Sequence, residues 1–99
     1  MPRYHIQRTK TFEKWFDKLR DKEAYLCISK RLKRMERGLF GDHKSLGGGI
    51  SELKIHYGPG YRVYYTERNG MIILLLVGGD KSTQERDIVK ARQLAKEWK

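Results

Sequence analysis

Between Ile50 and Val77 three apolar-rich runs are separated by two turn signatures, and this stretch restricts the possible fold more than any other part of the chain. From Ile50 the side chains alternate, with Leu53, Ile55 and Tyr57 facing one way and Glu52, Lys54 and His56 the other. Gly58-Pro59-Gly60 then reverses the chain, and Tyr61, Val63 and Tyr65 alternate with Arg62, Tyr64 and Thr66. Asn69-Gly70, a pair suited to a two-residue hairpin loop, leads into Met71 to Val77, which is apolar on both faces as a central strand is. The pattern predicts at least three antiparallel strands.

The flanking segments supply the rest. Arg3 to Arg8, with Tyr4 and Ile6 on one side, reads as a first strand. The period then becomes helical: Thr11 is the predicted N-cap before Phe12, Trp15, Phe16 and Leu19, and Asp21 before Tyr25, Ile28, Leu32, Met35 and Leu39. Together they predict an αα-hairpin that Gly38 and Gly41 bring to a stop. Gly38 to Gly49, with five glycines, reads as the longest loop. Near the end, Ser82 and Glu85 have the spacing of a capping box, and Ile88, Ala91, Ala95 and Trp98 form one helical face. The expected order is β-α-α-β-β-β-α: one α+β domain over residues 1–99, with its helices on one face of an antiparallel sheet.

Charge narrows the class of partner. The 99 residues hold 22 Lys and Arg against 12 Asp and Glu, a formal charge of +10, which predicts an anionic partner. Positions 1–50 carry 13 basic and 6 acidic residues, whereas positions 51–99 carry 9 and 6, so most of the excess lies in the helical half. Aromatic residues make up 11% of the chain, which argues against a disordered basic tail, and its length excludes an enzyme with an inter-domain cleft. The single cysteine, Cys27, has no internal disulfide partner and suits the cytoplasm. The start of the chain lacks the apolar core of a signal peptide, and the seven apolar residues from Met71 fall short of the roughly 20 that a membrane span needs.

The order of elements, the Glu52-Leu53-Lys54 strand, the Gly60-Tyr61-Arg62-Val63-Tyr64-Tyr65 strand and the ending Gly79-Asp80-Lys81-Ser82-Thr83-Gln84 with Asp87-Ile88 and Ala91 resemble the RelE/ParE superfamily. These are toxins of bacterial type II toxin–antitoxin modules, and the sequence looks most like the HigB-like branch of addiction module killer proteins. The resemblance covers essentially the whole chain and implies a RelE-like fold. It also implies one of two activities: a ribosome-associated endoribonuclease that cuts messenger RNA without metal or other cofactor, or a ParE-like poison of DNA gyrase. A cognate antitoxin, commonly of the helix-turn-helix type and encoded next door, is implied as partner, and the complex would bind operator DNA through it. A basic nucleic-acid-binding module without toxicity is the third reading.

By position in the resemblance, Lys54 matches a catalytic lysine of the ribonuclease group, Arg62 its phosphate-clamping arginine, and Lys81 falls near another basic catalytic position. Arg62 also offers a bidentate fork for phosphate. Strand alternation puts Glu52, Lys54 and His56 on one face, with Arg62 and Tyr64 beside them across the hairpin. Glu52 and His56 are the candidates for proton transfer. Tyr64 is the tyrosine placed to stack on a base, Gln84 lies at a helix start suited to anions, and Lys30, Arg31, Lys33 and Arg34 form a helical basic cluster suited to RNA. Plainer roles compete: an exposed strand lysine also guards a sheet edge, and a run of charge is first a solvated helix face.

Overall fold

The structure is a computed structural model and describes residues 3–98, in which Thr9, rather than Thr11, caps the first helix: its Oγ1 accepts a hydrogen bond from Phe12 N at 3.0 Å. The elements are β1 (His5–Arg8), α1 (Lys10–Asp17), α2 (Lys22–Met35), β2 (His43–Gly47), β3 (Ile50–Ile55), β4 (Tyr61–Arg68), β5 (Ile72–Asp80) and α3 (Gln84–Glu97), with a 3-10 turn at Lys81–Thr83. The order therefore differs from the expected one by an added strand. β2 lies in the glycine-rich segment read as loop. Its side chains are nearly all exposed, so they carry no alternation to betray a strand. Its pairing is closed by Gly48 and Gly49, both at positive φ, which form a two-residue hairpin turn.

All four C-terminal strands form an antiparallel meander in the sheet order β1-β5-β4-β3-β2. β1 joins the other edge parallel to β5, with Ile6 opposite Ile73, so the sheet is mixed and not wholly antiparallel. A parallel neighbour needs a crossover rather than a hairpin. That pairing is between opposite ends of the sequence, which no local pattern reports. Asn69 and Gly70 turn the chain as expected, with φ of 56° and 65°, but the loop is of three residues, since Arg68 pairs with Ile72.

Helices cover both faces, again unlike the expectation of one. On one face α1 and α2 bury Phe12, Phe16, Ile28, Leu32 and Met35 against Leu53, Ile55, Val63, Tyr65, Ile73 and Leu75. On the other, α3 packs Ala91, with Ile88, Leu94 and Ala95, over Ile50, Tyr64, Leu74, Leu76 and Val77. The continuous apolar run of β5 is the sequence trace of this two-sided burial. Asp21 caps α2 as predicted, accepting from Glu23 N and Ala24 N. α2 ends at Met35, and Leu39 lies beyond it, 55% exposed. Among the described residues no helix is long and apolar enough to cross a membrane.

A β-bulge between β4 and β5 shapes the end of the sheet. Tyr64 pairs with Val77 but Tyr65 with Leu75, which leaves Leu76 as the extra residue. Gly78 then lies under the Trp15 ring and Gly79 under Asp87 and Thr83, so that an added Cβ at either would collide. Close packing at these two glycines seats α1 and the start of α3 on opposite faces of β5.

Candidate functional site

Three strands and the start of α3 converge on one corner of the α3 face. In the β3–β4 register Lys54 faces Arg62 and Glu52 faces Tyr64, and β4–β5 pairing sets Arg62 beside Gly79. Directly paired residues have Cβ atoms about 5 Å apart, so Lys54 and Arg62 stand side by side. Lys81 joins them from the 3-10 turn: a Cβ at Gly60 would lie 3.6 Å from Lys81 Cβ and 3.9 Å from Arg62 Nη1. Arg62 and the base of Lys81 thus approach one another across the open backbone of Gly60, with Lys54 beside Arg62 on the neighbouring strand. Lys81 is exposed, and Lys54 and Arg62 are partly exposed.

Beneath the cations is a buried polar layer. Glu52 is 2% exposed. Its Oε1 lies 3.0 Å from Arg62 Nε and accepts a hydrogen bond from Gln84 Nε2, also at 3.0 Å. Arg62 Nε is enclosed, and its N–H points off the line to Glu52, so this contact is an ion pair and not a hydrogen bond. Glu52 and Gln84 therefore face one another and Arg62, rather than solvent. Tyr64 is fully buried and offers no ring face for a base to stack on, contrary to the expectation. Burial, and after it the charges of Glu52 and Asp87, push its phenol up to about 12, while Arg62 and the nearby Gln84 amide pull weakly the other way. Its hydroxyl lacks a hydrogen-bond partner of good geometry.

The segment from Gly79 to Asp87 is held by its own side chains. Asp80, not Ser82, is the cap: its Oδ1 accepts from Ser82 N at 2.8 Å and from Ser82 Oγ, while Thr83 Oγ1 accepts from Asp80 N. Thr83 Oγ1 also donates to Asp87 Oδ2 at 2.5 Å. Asp87, only 7% exposed, is a site residue that the sequence reading did not single out. A glycine inside an apolar central strand was the available signal, because it marks a close approach. Gly79, Asp80, Ser82, Thr83, Gln84 and Asp87 all have intramolecular partners or contacts in this corner, whereas the Lys81 ammonium projects outward.

The remaining candidates lie elsewhere. His56 does not join the Arg62 row, because β3 ends at Ile55 and the alternation stops there. Its side chain is 70% exposed, with Nε2 paired to Asp42. That hydrogen bond, foremost among several causes, holds the Asp42 carboxyl below its usual range, with Lys54 and Arg31 adding to it. Lys30, Lys33 and Arg34 are exposed on α2, which packs on the opposite sheet face from Glu52 and Tyr64. Arg31 is structural: Nη1 donates to Lys54 O at 2.6 Å, and Nη2 to Phe40 O at 2.9 Å and Asp42 O at 3.2 Å. It ties α2 to the start of β2 and to β3, and its guanidinium is committed to backbone.

No known family profile matches the sequence. A Haemophilus influenzae protein (strain ATCC 51907 / DSM 11121 / KW20 / Rd), described as uncharacterized, is 50% identical over 92 residues, which is 93% of this chain and 93% of that protein. With half the residues shared across nearly the full length of both, the chain belongs to the same family as that Haemophilus influenzae protein.

Proposed function

We propose that this chain is the toxin of a type II toxin–antitoxin module, of RelE-like fold and in the HigB-like branch, and that it is a cytoplasmic, metal-independent endoribonuclease acting on messenger RNA at the ribosome. The observation that supports this most directly is that Arg62 has Lys54 paired beside it and Lys81 close to it across Gly60, above a buried layer that holds Arg62. Two cations, Arg62 and Lys81, with the Lys54 amine beside them, suit chemistry at a single phosphate.

Cleavage would run by attack of the RNA 2′-oxygen on the adjacent phosphorus, with loss of the 5′-oxygen and formation of a 2′,3′-cyclic phosphate. Lys54 serves as the general base for the 2′-hydroxyl proton. Arg62 holds the phosphoryl oxygens, whose charge rises in the transition state, and Lys81 returns a proton to the departing 5′-oxygen. The solvated cations of α2, Lys30, Lys33 and Arg34, contribute a broad attraction for ribosomal RNA, with affinity that falls as salt rises. The partner is an antitoxin that covers the basic corner and supplies operator-DNA binding to the complex.

Expression in growing cells, with transcript ends mapped by primer extension, tests the activity. New 5′ ends are expected with the wild-type chain. Arg62→Ala lowers kcat/KM by about 2 to 4 kcal/mol of transition-state stabilisation, with the fold retained. Growth arrest without new ends, accompanied by loss of gyrase supercoiling, would replace this reading with a ParE-like one. Unimpaired growth would leave a non-toxic nucleic-acid-binding module.

A further inference from the structure

Glu52 and Gln84 are polar, lie in the candidate site and are turned inward. Glu52 is almost fully enclosed, and one of its oxygens meets both the Arg62 guanidinium and the Gln84 amide. Gln84 is the first residue of α3, directly after the turn that carries Lys81. The chain of contacts therefore runs from β4 through β3 to the start of α3, joining the strand that bears Arg62 to the segment that bears Lys81. On the far side of that segment, Asp87 and Thr83 fasten the first turn of α3 over Gly79, the residue paired with Arg62.

We infer that Glu52 and Gln84 are positioning residues: Glu52 fixes the Arg62 guanidinium, and Gln84 couples it to the α3 turn, so that Arg62 and Lys81 present their charges as one preorganised anion site. This rests on the ribonuclease reading for its kinetic consequence, though not for the contact itself. It assigns Glu52 a part different from proton transfer. A carboxylate shut beneath an arginine and an amide has no path to a substrate hydroxyl, whereas it restricts the arginine that touches the phosphate. Preorganised charge is worth more than mobile charge, because the site does not have to reorder during the reaction.

The test uses the full chain and two variants, Glu52→Gln and Gln84→Met. In a nitrogen–proton correlation spectrum the Arg62 Nε–H resonance, identified by its loss in Arg62→Lys, is expected to be displaced from free arginine and protected from exchange. In Glu52→Gln it returns toward the free-arginine position; in Gln84→Met, which keeps Glu52, it shifts less. On messenger RNA loaded on ribosomes, kcat falls by about 10²-fold in Glu52→Gln, the size of loss that follows from misplacing a group by about 1 Å, while KM stays near the wild-type value. The acid limb of the pH–rate profile is retained at this lower level. A free-arginine resonance in the wild-type chain, or wild-type kcat in both variants, overturns the inference. Loss of the acid limb in Glu52→Gln also overturns it, since that marks Glu52 as the base. If the wild-type chain cuts no messenger RNA on the ribosome, the ribonuclease reading falls and the resonance alone decides whether the lock exists. Should Glu52→Gln fail to fold, Gln84→Met carries the same comparison.

Discussion

Gly79→Ala is a demanding test of how α3 is seated. A methyl group there collides with the Asp87 carboxylate and would stand 2.7 Å from Thr83 Oγ1 and 2.9 Å from Asp87 Cγ. The obstacles are short side chains on a packed helix, so the helix start itself must move. Overpacking of this kind costs about 1 to 3 kcal/mol. Moving Asp87 also stretches its 2.5 Å hydrogen bond from Thr83, and a buried polar group that loses its partner costs about 1 to 3 kcal/mol more. The expected loss is therefore about 2 to 6 kcal/mol, a large part of the 5 to 15 kcal/mol typical of a domain. For a chain of this size that lowers Tm by roughly 10 to 30 °C. Thermal unfolding followed by circular dichroism, with urea midpoints as a check, measures it. Asp87→Ala is destabilising alone but makes room for the methyl. The double variant should thus be more stable than the sum of the single losses predicts, by about 0.5 to 3 kcal/mol. Gly79→Ala melting within 2 °C of wild type, or strict additivity with Asp87→Ala, would refute the close approach of α3 to β5.

Three further outcomes can be checked by equilibrium unfolding. Arg31→Ala removes the donor to three backbone carbonyls and should cost about 2 to 4 kcal/mol, with Arg31→Lys recovering only part because an ammonium cannot reproduce the planar fork. Tyr64→Phe removes a buried hydroxyl that has no partner, so stability should be unchanged or rise by up to about 1 kcal/mol, and a clear loss would show that the hydroxyl is bonded. Asp21 and Asp42 have lowered folded-state pKa values, foremost through hydrogen bonds with Tyr57 and His56 respectively. Their contribution is complete above the ordinary carboxylate value near 3.9 and disappears as pH falls through the lower folded-state values. The Asp21→Asn, Asp42→Asn double variant should show a smaller fall in urea midpoint between pH 6 and pH 2.5 than the wild-type chain.

The sequence by itself determined the elements whose side chains are sorted by burial or fixed by local geometry. Helical stripes such as Phe12, Trp15 and Phe16, the alternation of β3 and β4, and the positive-φ turn at Asn69-Gly70 all follow from contacts close in sequence. It also put Arg62 beside the strand face of Lys54, and the structure added the register that pairs the two. Only the tertiary structure decided what depends on distant partners. β2 is exposed on nearly every side chain, so backbone pairing defines it; β1 finds β5 across almost the whole chain; and α3 takes the face that α1 and α2 leave open. The same division runs through the site. Position in the RelE/ParE resemblance selected the cations, but burial separated them from their neighbours. Glu52 and Tyr64 share that face with Lys54 and Arg62, yet α3 covers them, with its first residue Gln84 bonded to Glu52, and leaves the cations at the rim. A pattern of alternation reports which face a side chain takes; how much of that face a helix will cover is fixed only when the helix docks.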